Sequence, residues 1–183
     1  MNLQHMTAAL ALMFALCVEC AFAGADAFHA GPLIPDYGPV ATVDATMAIP
    51  SDMTLRLVFD NASGAGVGTP NAALISAARF LNMHAEAGIP LERIKVAIVL
   101  HGTAVHDVTA QEHYGEVYGG AANASAPLVA QLLGYGARII VCGQSAAYQD
   151  VETNELLDGV EMALSAMTAH AVLQHQGYAL NPF

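Results

Sequence analysis

The stretch IKVAIVL at residues 94–100 is the strongest indication of the fold, because it is apolar throughout except for Lys95. A strand without alternating polar positions is typical of a parallel sheet that is covered on both faces. Shorter apolar runs occupy residues 55–59 and 138–142. We interpret all three segments as strands of one mainly parallel sheet.

Segments with helical patterns alternate with these strands. Thr69 is expected to cap a helix over 71–87, because Pro70 then stands in its first turn, where a missing N–H costs nothing. A second helix is expected over 121–133, ahead of Gly134. Such alternation predicts right-handed crossovers and an α/β fold, a three-layer sandwich with a mainly parallel sheet of about five strands. After the third strand we expect a short or irregular helix at 154–157, a helix over 160–176 or a short strand at 160–164 leading into one, and a closing strand at 178–180.

Composition limits the class of protein. Hydrophobic residues make up 55% of the 183 residues and charged residues 11%, where about 25% charged is usual, and this excludes intrinsic disorder. The net charge is −11, with only five Lys and Arg. Nucleic acids and anionic membrane surfaces are bound through clusters of basic residues, so neither is an expected partner.

The first 23 residues have the pattern of a secretory signal peptide. An apolar run at 6–18 is too short to span a bilayer, which takes about 20 residues, and Ala21, Phe22 and Ala23 form a small-x-small cleavage site. Met1 to His5 carries no Lys or Arg, unlike an ordinary signal, and a buried N-terminal helix is the alternative. We expect a signal peptide at 1–23, a periplasmic or secreted protein, and no membrane attachment after cleavage.

Cleavage after the expected signal peptide would leave an arm, an α/β domain and one cysteine. Residues 24–53 are rich in proline and are expected to form an extended arm, with one short strand near 40–43, and 54–183 form the α/β domain. Cys17 and Cys20 form a C-x-x-C inside the leader. The mature chain therefore keeps one thiol, Cys142, which cannot form an intramolecular disulfide.

Functional residues of an open parallel sheet lie beyond the carboxyl ends of the strands. In this sequence they are expected in the loops 60–68, 101–120 and 142–151. The first loop is glycine-rich over 64–68, but its pattern is G-x-G-x-G rather than G-x-G-x-x-G, and no Walker lysine follows. Nucleotide binding is therefore not favoured, and no cofactor is predicted.

The second loop carries His101, His106, Asp107 and His113. Imidazole and carboxylate groups bind zinc or copper, but these spacings match no zinc motif, so we assign no metal site. His101 directly follows the buried strand, at the rim of the crevice. It is expected either to carry a proton for a nearby thiol or to bond to backbone.

The third loop begins at Cys142, at the end of the strand 138–142. A thiol in this place faces free N–H groups at the start of the next helix, which stabilise its thiolate and make it a nucleophile or a sulfur acceptor. The alternative is an inert, buried structural cysteine.

The sequence GARIIVCGQS at 136–145 resembles the cysteine loop of the DsrE/DsrF-like family. The segments 155–162 and 174–178, and His101-Gly102 after the second strand, are similar to the same family, and 35–40 resembles its exported branch. The resemblance covers about 35–183. It implies a flavodoxin-like fold, homo- or hetero-oligomeric assembly, and sulfur relay as a persulfide on the loop cysteine, which is Cys142 in this sequence.

Two functions follow for this crevice. The first is a sulfur carrier or sulfurtransferase, in which Cys142 attacks a sulfane sulfur donor and holds the sulfur as a persulfide. Cys142 and His101 are then the catalytic residues. The substrate-binding residues are expected to be Asn61, Gly102, Gly143, Gln144 and Ser145. The alternative is a non-catalytic module that binds a small ligand or a metal in the same crevice.

The distribution of charge predicts an oligomer. After Glu161 the chain has no Asp, Glu, Lys or Arg, although this part contains a helix, and a helix on the surface of a monomer normally shows a charged stripe. We expect this helix to pack against its counterpart in a homodimer or homotrimer, unless its outer face is merely neutral and solvated. The small residues that would allow close approach are Ala163, Ala166, Ala169 and Ala171.

Overall fold

The computed structural model describes residues 24–181. The expected signal peptide at 1–23, with Cys17 and Cys20, lies outside the described residues. The described chain forms one sheet of five parallel strands in the order β4-β3-β2-β1-β5. The strands are β1 (Leu55–Asn61), β2 (Ile94–Leu100), β3 (Arg138–Cys142), β4 (Glu161–Ala163) and β5 (Ala179–Asn181).

Helices cover both faces of the sheet, so the predicted three-layer α/β fold is confirmed. Five α-helices are present in the described residues: α1 (Ala72–Glu86), α2 (Gln111–Val117), α3 (Ala126–Gly134), α4 (Gly143–Tyr148) and α5 (Ala166–His175). The larger core lies under α1 and α3, and a smaller one lies under α5, where Val58, Val99 and Ile140 meet Leu173. Central strand β2 is buried along almost its whole length, as its apolar sequence predicted.

The order of the strands explains why α5 stands alone on its face. The chain steps from β1 through β2 and β3 to β4 in one direction, and then returns across the sheet to place β5 beside β1. Because crossovers between parallel strands are right-handed, a reversal of direction transfers the connecting helix to the opposite face.

Several boundaries differ from the sequence-based expectation. The N-cap of α1 is Asn71 rather than Thr69, because the side-chain oxygen of Asn71 accepts a hydrogen bond from the N–H of Ala73 at 2.9 Å. The expected loop 101–120 contains a 3₁₀ helix (Gly102–Val108) and α2. The start of α3 is displaced to Ala126, because the side-chain amide of Asn123 donates to the backbone carbonyls of Asp107 and Thr109 and holds the preceding residues there.

At the end of the chain, the second of the two expected arrangements is the one found. Strand β4 comes first, and α5 follows after the short turn at Leu164 and Ser165. The hydroxyl of Ser165 accepts from the N–H of Thr168 at 3.0 Å and caps the helix. No helix among residues 24–181 is long and apolar enough to cross a membrane.

The N-terminal arm is docked on its own domain. His29 and Val40 form an isolated β-bridge, and Val40 is the one part of the expected strand at 40–43 that pairs. The fully buried Asn82 of α1 binds the arm through five backbone groups between Leu33 and Gly38. This buried amide fixes the path of the arm over α1.

Candidate functional site

Cys142 lies where the topology opens a crevice in the sheet. The connection from β3 to β4 runs on the α1 side, since Ala146 and Val151 pack in the larger core. The connection from β4 to β5 runs on the α5 side. Ligands of open α/β sheets bind at the carboxyl ends of two neighbouring strands whose connections part in this way. Strands β3 and β4 are such a pair, and Cys142 is the last residue of β3.

The thiol of Cys142 is shielded and surrounded by hydrogen-bond donors. The residue is 5% exposed. Burial raises the pKa of the thiol, but hydrogen bonds from the hydroxyl of Ser145 and from the backbone N–H groups of Ser145, Ala166 and Gln144 lower it by more. The net effect is a pKa below the ordinary value of a cysteine, as the sequence predicted. Because two of these residues belong to α4 and one to α5, the thiolate is stabilised from both sides of the crevice.

Ser145 joins the cysteine to the loop that follows β2. Its hydroxyl accepts a hydrogen bond from the N–H of Gly102 at 3.0 Å and directs its own proton to the thiol. Gly102 has a φ of +53°, and a Cβ there would lie 2.5 Å from the carbonyl oxygen of Ala62. This position therefore requires glycine, because only glycine allows the two loops to approach so closely.

The turn between β4 and α5 covers the thiol from the other side. A Cβ on Gly143 would lie 2.7 Å from the carbonyl oxygen of Ala163, so the start of α4 packs directly on this turn. Gln144 donates from its side-chain amide to the carbonyl of Leu164 at 3.2 Å, while its backbone N–H faces the thiol. Gly143 and Gln144 thus hold the turn between β4 and α5 over the thiol, and the side chain of Gln144 is directed to this turn.

His101 extends from the end of β2, the strand beside β3. Its Nε2 lies 3.2 Å from Oδ2 of Asp60, so its side chain bonds to a carboxylate rather than to backbone. The other oxygen of Asp60 lies 2.6 Å from Nε2 of His170 on α5. Burial raises the pKa of Asp60, but the hydrogen bonds from His170 and His101 outweigh it and the net pKa is lowered.

Asp60 and His170 were not anticipated from the sequence. The available signal was weak: Asp60 interrupts an apolar strand, and His170 is one of the few ionisable residues of the charge-free tail. The 110 positions between them conceal the pairing. Asn61, which was expected in the crevice, is not brought together with Cys142. Its side chain bonds to the carbonyl of Ser63 and to the side chain of Asn71, at the start of α1.

The remaining histidines of the loop after β2 form a separate cluster. The rings of His106 and His113 stack with centroids 5.7 Å apart. Nε2 of His106 lies 3.2 Å from the side-chain oxygen of Gln149, and Nδ1 of His113 lies 3.1 Å from Glu155. Within residues 24–181, no group of three or more His, Cys, Asp and Glu side chains is arranged to hold a metal ion.

The glycine-rich loop after β1 binds to the protein itself. The N–H of Gly64 donates to the hydroxyl of Thr103 at 2.9 Å, and the N–H of Ala65 donates to Oδ2 of Asp107 at 2.9 Å. The amide of Asn71 donates to the same oxygen of Asp107 at 2.7 Å. Two backbone N–H groups of this loop are thus occupied by side chains of the same chain.

Fold and site together define a parallel α/β protein with a shielded, acidified thiol at the switch point of its sheet. Within that class the chain belongs to the DsrE/DsrF-like family, whose model matches residues 57–182. The solved structure of MTH1491, a protein of unknown function from Methanobacterium thermoautotrophicum, is similar in fold. It covers 70% of this chain and 99% of its own, with a TM-score of 0.50 and 19% identity. A search of curated proteins found none that matches this sequence.

Proposed function

We propose that this protein carries sulfane sulfur as a persulfide on Cys142. The observation that carries the proposal is the environment of the thiol, which is shielded from solvent and yet has a lowered pKa because four hydrogen bonds reach it. A thiolate, rather than a thiol, is the nucleophile in sulfur chemistry. Membership of a family named for sulfur-relay proteins supports the same conclusion.

The chemistry is a nucleophilic displacement at sulfur. The thiolate of Cys142 attacks the outer sulfur of a donor such as thiosulfate, and a new S–S bond forms. The bond between that sulfur and the rest of the donor breaks, and the leaving group keeps the electron pair. The donors that stabilise the thiolate, the hydroxyl of Ser145 and the N–H groups of Gln144, Ser145 and Ala166, also surround the negative persulfide. The low exposure of Cys142 then limits the access of water to the persulfide.

Mass spectrometry tests the proposal directly. The chain from Gly24 onward contains a single cysteine, so any sulfur adduct on it is unambiguous. After incubation with thiosulfate or polysulfide we expect a gain of one sulfur atom, removed by a reducing thiol and absent in Cys142→Ser. A folded protein that gains no sulfur from any donor would contradict the proposal and would favour the ligand-binding alternative.

We also propose that the chain is exported and forms a homodimer or homotrimer. The leader pattern at 1–23 supports export. The outer face of α5 supports assembly, since Met167 is 79% exposed and Val172 is 46% exposed on a helix without acidic or basic residues other than histidine. Ala166 and Ala169, expected to face a second subunit, instead pack on the sheet of the same chain. The surface proposed for the contact is therefore formed by Met167, Ala171 and Val172.

A further inference from the structure

The carboxylate of Asp60 binds two imidazoles that come from different parts of the fold. Oδ1 lies 2.6 Å from Nε2 of His170 on α5, and Oδ2 lies 3.2 Å from Nε2 of His101 after β2. Both imidazoles act on this carboxylate and lower its pKa. A partly buried carboxylate that links two histidines in this way is not needed to close the sheet, because β1 and β2 already pair along their full length.

Asp60 and His101 lie on the same face of the sheet as Cys142, the face that α5 covers. Alternate residues of a strand share a face, and Val58, Val99 and Ile140 all pack under α5. The residues two positions further along these strands are Asp60, His101 and Cys142. Leu100 and Val141 are the last pair of β2 and β3, and His101 and Cys142 are the residues that follow them along the chain. Neighbouring strands lie about 4.8 Å apart, which places these two residues close together at the edge of the sheet.

His170 links the same carboxylate to the other side of the thiol. It lies four residues, about one helical turn, after Ala166 on α5. The N–H of Ala166 is one of the donors to the thiol of Cys142. The bond from His170 to Asp60 therefore holds the first turn of α5 over the crevice, in the place where its N–H reaches the sulfur.

We propose that Asp60 is a positioning residue for sulfur transfer at Cys142, holding His101 as the proton-transfer group and, through His170, the first turn of α5. The inference rests on the proposed function. The Nδ1 atom of His101 makes no hydrogen bond within the described chain, and its Nε2 is directed to Asp60. A carboxylate in this position orients the ring and stabilises the imidazolium, as in hydrolases that use a serine–histidine–aspartate triad.

One proton moves from the thiol to the leaving group during the proposed reaction. The thiol of Cys142 gives its proton to Nδ1 of His101, and the imidazolium that forms is paired with Asp60. The thiolate attacks the outer sulfur of a persulfide donor, the S–S bond of the donor breaks, and the leaving thiolate takes the electron pair. The imidazolium then returns the proton to that leaving group. No electrons are gained or lost overall.

The first test compares Asp60→Asn with Asp158→Asn, which removes the same charge from the exposed turn before β4. Sulfur loading from a small-molecule persulfide is measured against pH. The wild type and Asp158→Asn should show a bell-shaped profile, from a thiolate and an imidazolium acting together. In Asp60→Asn the alkaline limb should disappear and the maximal rate should fall about 10²-fold, within the usual range for proton-transfer catalysis.

Alkylation of Cys142 by iodoacetamide provides the control, because its leaving iodide needs no proton. At a pH at which the thiol is fully ionised, alkylation should be equal in all three proteins. A loading profile of Asp60→Asn that matches Asp158→Asn would overturn the inference but leave the proposed function intact. A wild type that accepts no sulfur would instead refute the proposed function, together with the transfer role of Asp60.

A second measurement needs no variant and so does not depend on the folding of Asp60→Asn. Nitrogen NMR of the wild type reports which imidazole nitrogen carries the proton. With Nε2 donating to a carboxylate, neutral His101 and neutral His170 should both be protonated on Nε2. A proton on Nδ1 of His101 would overturn the proposed proton path, since Nδ1 could not then accept the proton of the thiol.

Discussion

Replacing Ser145 with alanine removes the hydroxyl that joins the two sides of the thiol site. This hydroxyl donates to the sulfur of Cys142 and accepts from the N–H of Gly102 at 3.0 Å. Alanine keeps the helix and the backbone N–H of residue 145, which also reaches the sulfur. The substitution therefore separates the contribution of the hydroxyl from that of the backbone donors.

The size of the effect follows from the bonds that are lost. A hydrogen bond to a charged group contributes about 1.5–3 kcal/mol, and about 1.4 kcal/mol corresponds to one pKa unit. Three backbone donors remain around the sulfur, and they compensate for part of the loss. We expect the pKa of Cys142 to rise by about one unit. The N–H of Gly102, half-buried, loses its acceptor, so the free energy of unfolding should fall by about 1 kcal/mol.

The assay is the rate of iodoacetamide alkylation of Cys142 as a function of pH, supported by the ultraviolet absorbance of the thiolate. Ser145→Thr keeps a hydroxyl and should retain most of the lowered pKa. Ser51→Ala, in an exposed part of the arm, should leave both the pKa and the stability unchanged. A midpoint for Ser145→Ala that equals the wild type would refute the reasoning, because the hydroxyl would then make no difference to the thiolate.

Four further predictions concern assembly, the pH dependence of stability at two aspartates, and the arm. Met167→Glu places a charge on the outer face of α5, and light scattering should then show monomers for the variant and the proposed dimer or trimer for the wild type. An unchanged mass would exclude this face as the contact. The pKa of Asp60 is lowered by folding, so its ionised carboxylate stabilises the fold above its unfolded pKa of about 3.9. This contribution is lost as pH falls toward the folded pKa, and the free energies of unfolding of Asp60→Asn and wild type, measured with urea, should therefore converge in acid. Burial raises the pKa of Asp107 and outweighs the hydrogen bonds from Asn71 and Ala65. The free energy of unfolding of Asp107→Asn should therefore increase relative to that of the wild type as pH rises above about 4, and a difference that does not change with pH would contradict this. Asn82→Ala removes five hydrogen bonds to the arm, which should lower the free energy of unfolding by about 3 kcal/mol and expose residues 29–40 to proteolysis. An unchanged urea midpoint would show that the arm is held by apolar contacts alone.

The class of fold and the position of the candidate cysteine could be predicted from the amino-acid sequence alone. The strand at 94–100 has the same bounds in the structure, and so does the strand that ends at Cys142. Both are apolar apart from one basic residue at or near the start, and burial on two faces leaves little freedom in where such a run begins or ends. The lowered pKa of Cys142 was also predicted, because a thiol at the end of a strand and the start of a helix meets free N–H groups whatever the remaining contacts are.

Local helical structure outside the sheet was less predictable. The 3₁₀ helix at Gly102–Val108 and the start of α3 depend on Asn123, which bonds to carbonyls of residues 14 and 16 positions away. The docking of the arm likewise depends on Asn82, at separations of 44 to 49 positions. A polar side chain shows its type in the sequence, but its partner is set by the packing of other elements.

The groups that surround the thiol could be identified only from the folded arrangement of the chain. Ala166 reaches Cys142 because the chain reverses direction after β4 and brings α5 back over the sheet. Asp60 meets His101 and His170 across 41 and 110 positions for the same reason. Pairing in a parallel sheet aligns the ends of strands that are distant in sequence, and periodicity within a strand contains no information about that alignment. The sequence therefore pointed to the thiol of Cys142, and the folded arrangement of α4 and α5 determined which groups form hydrogen bonds with it.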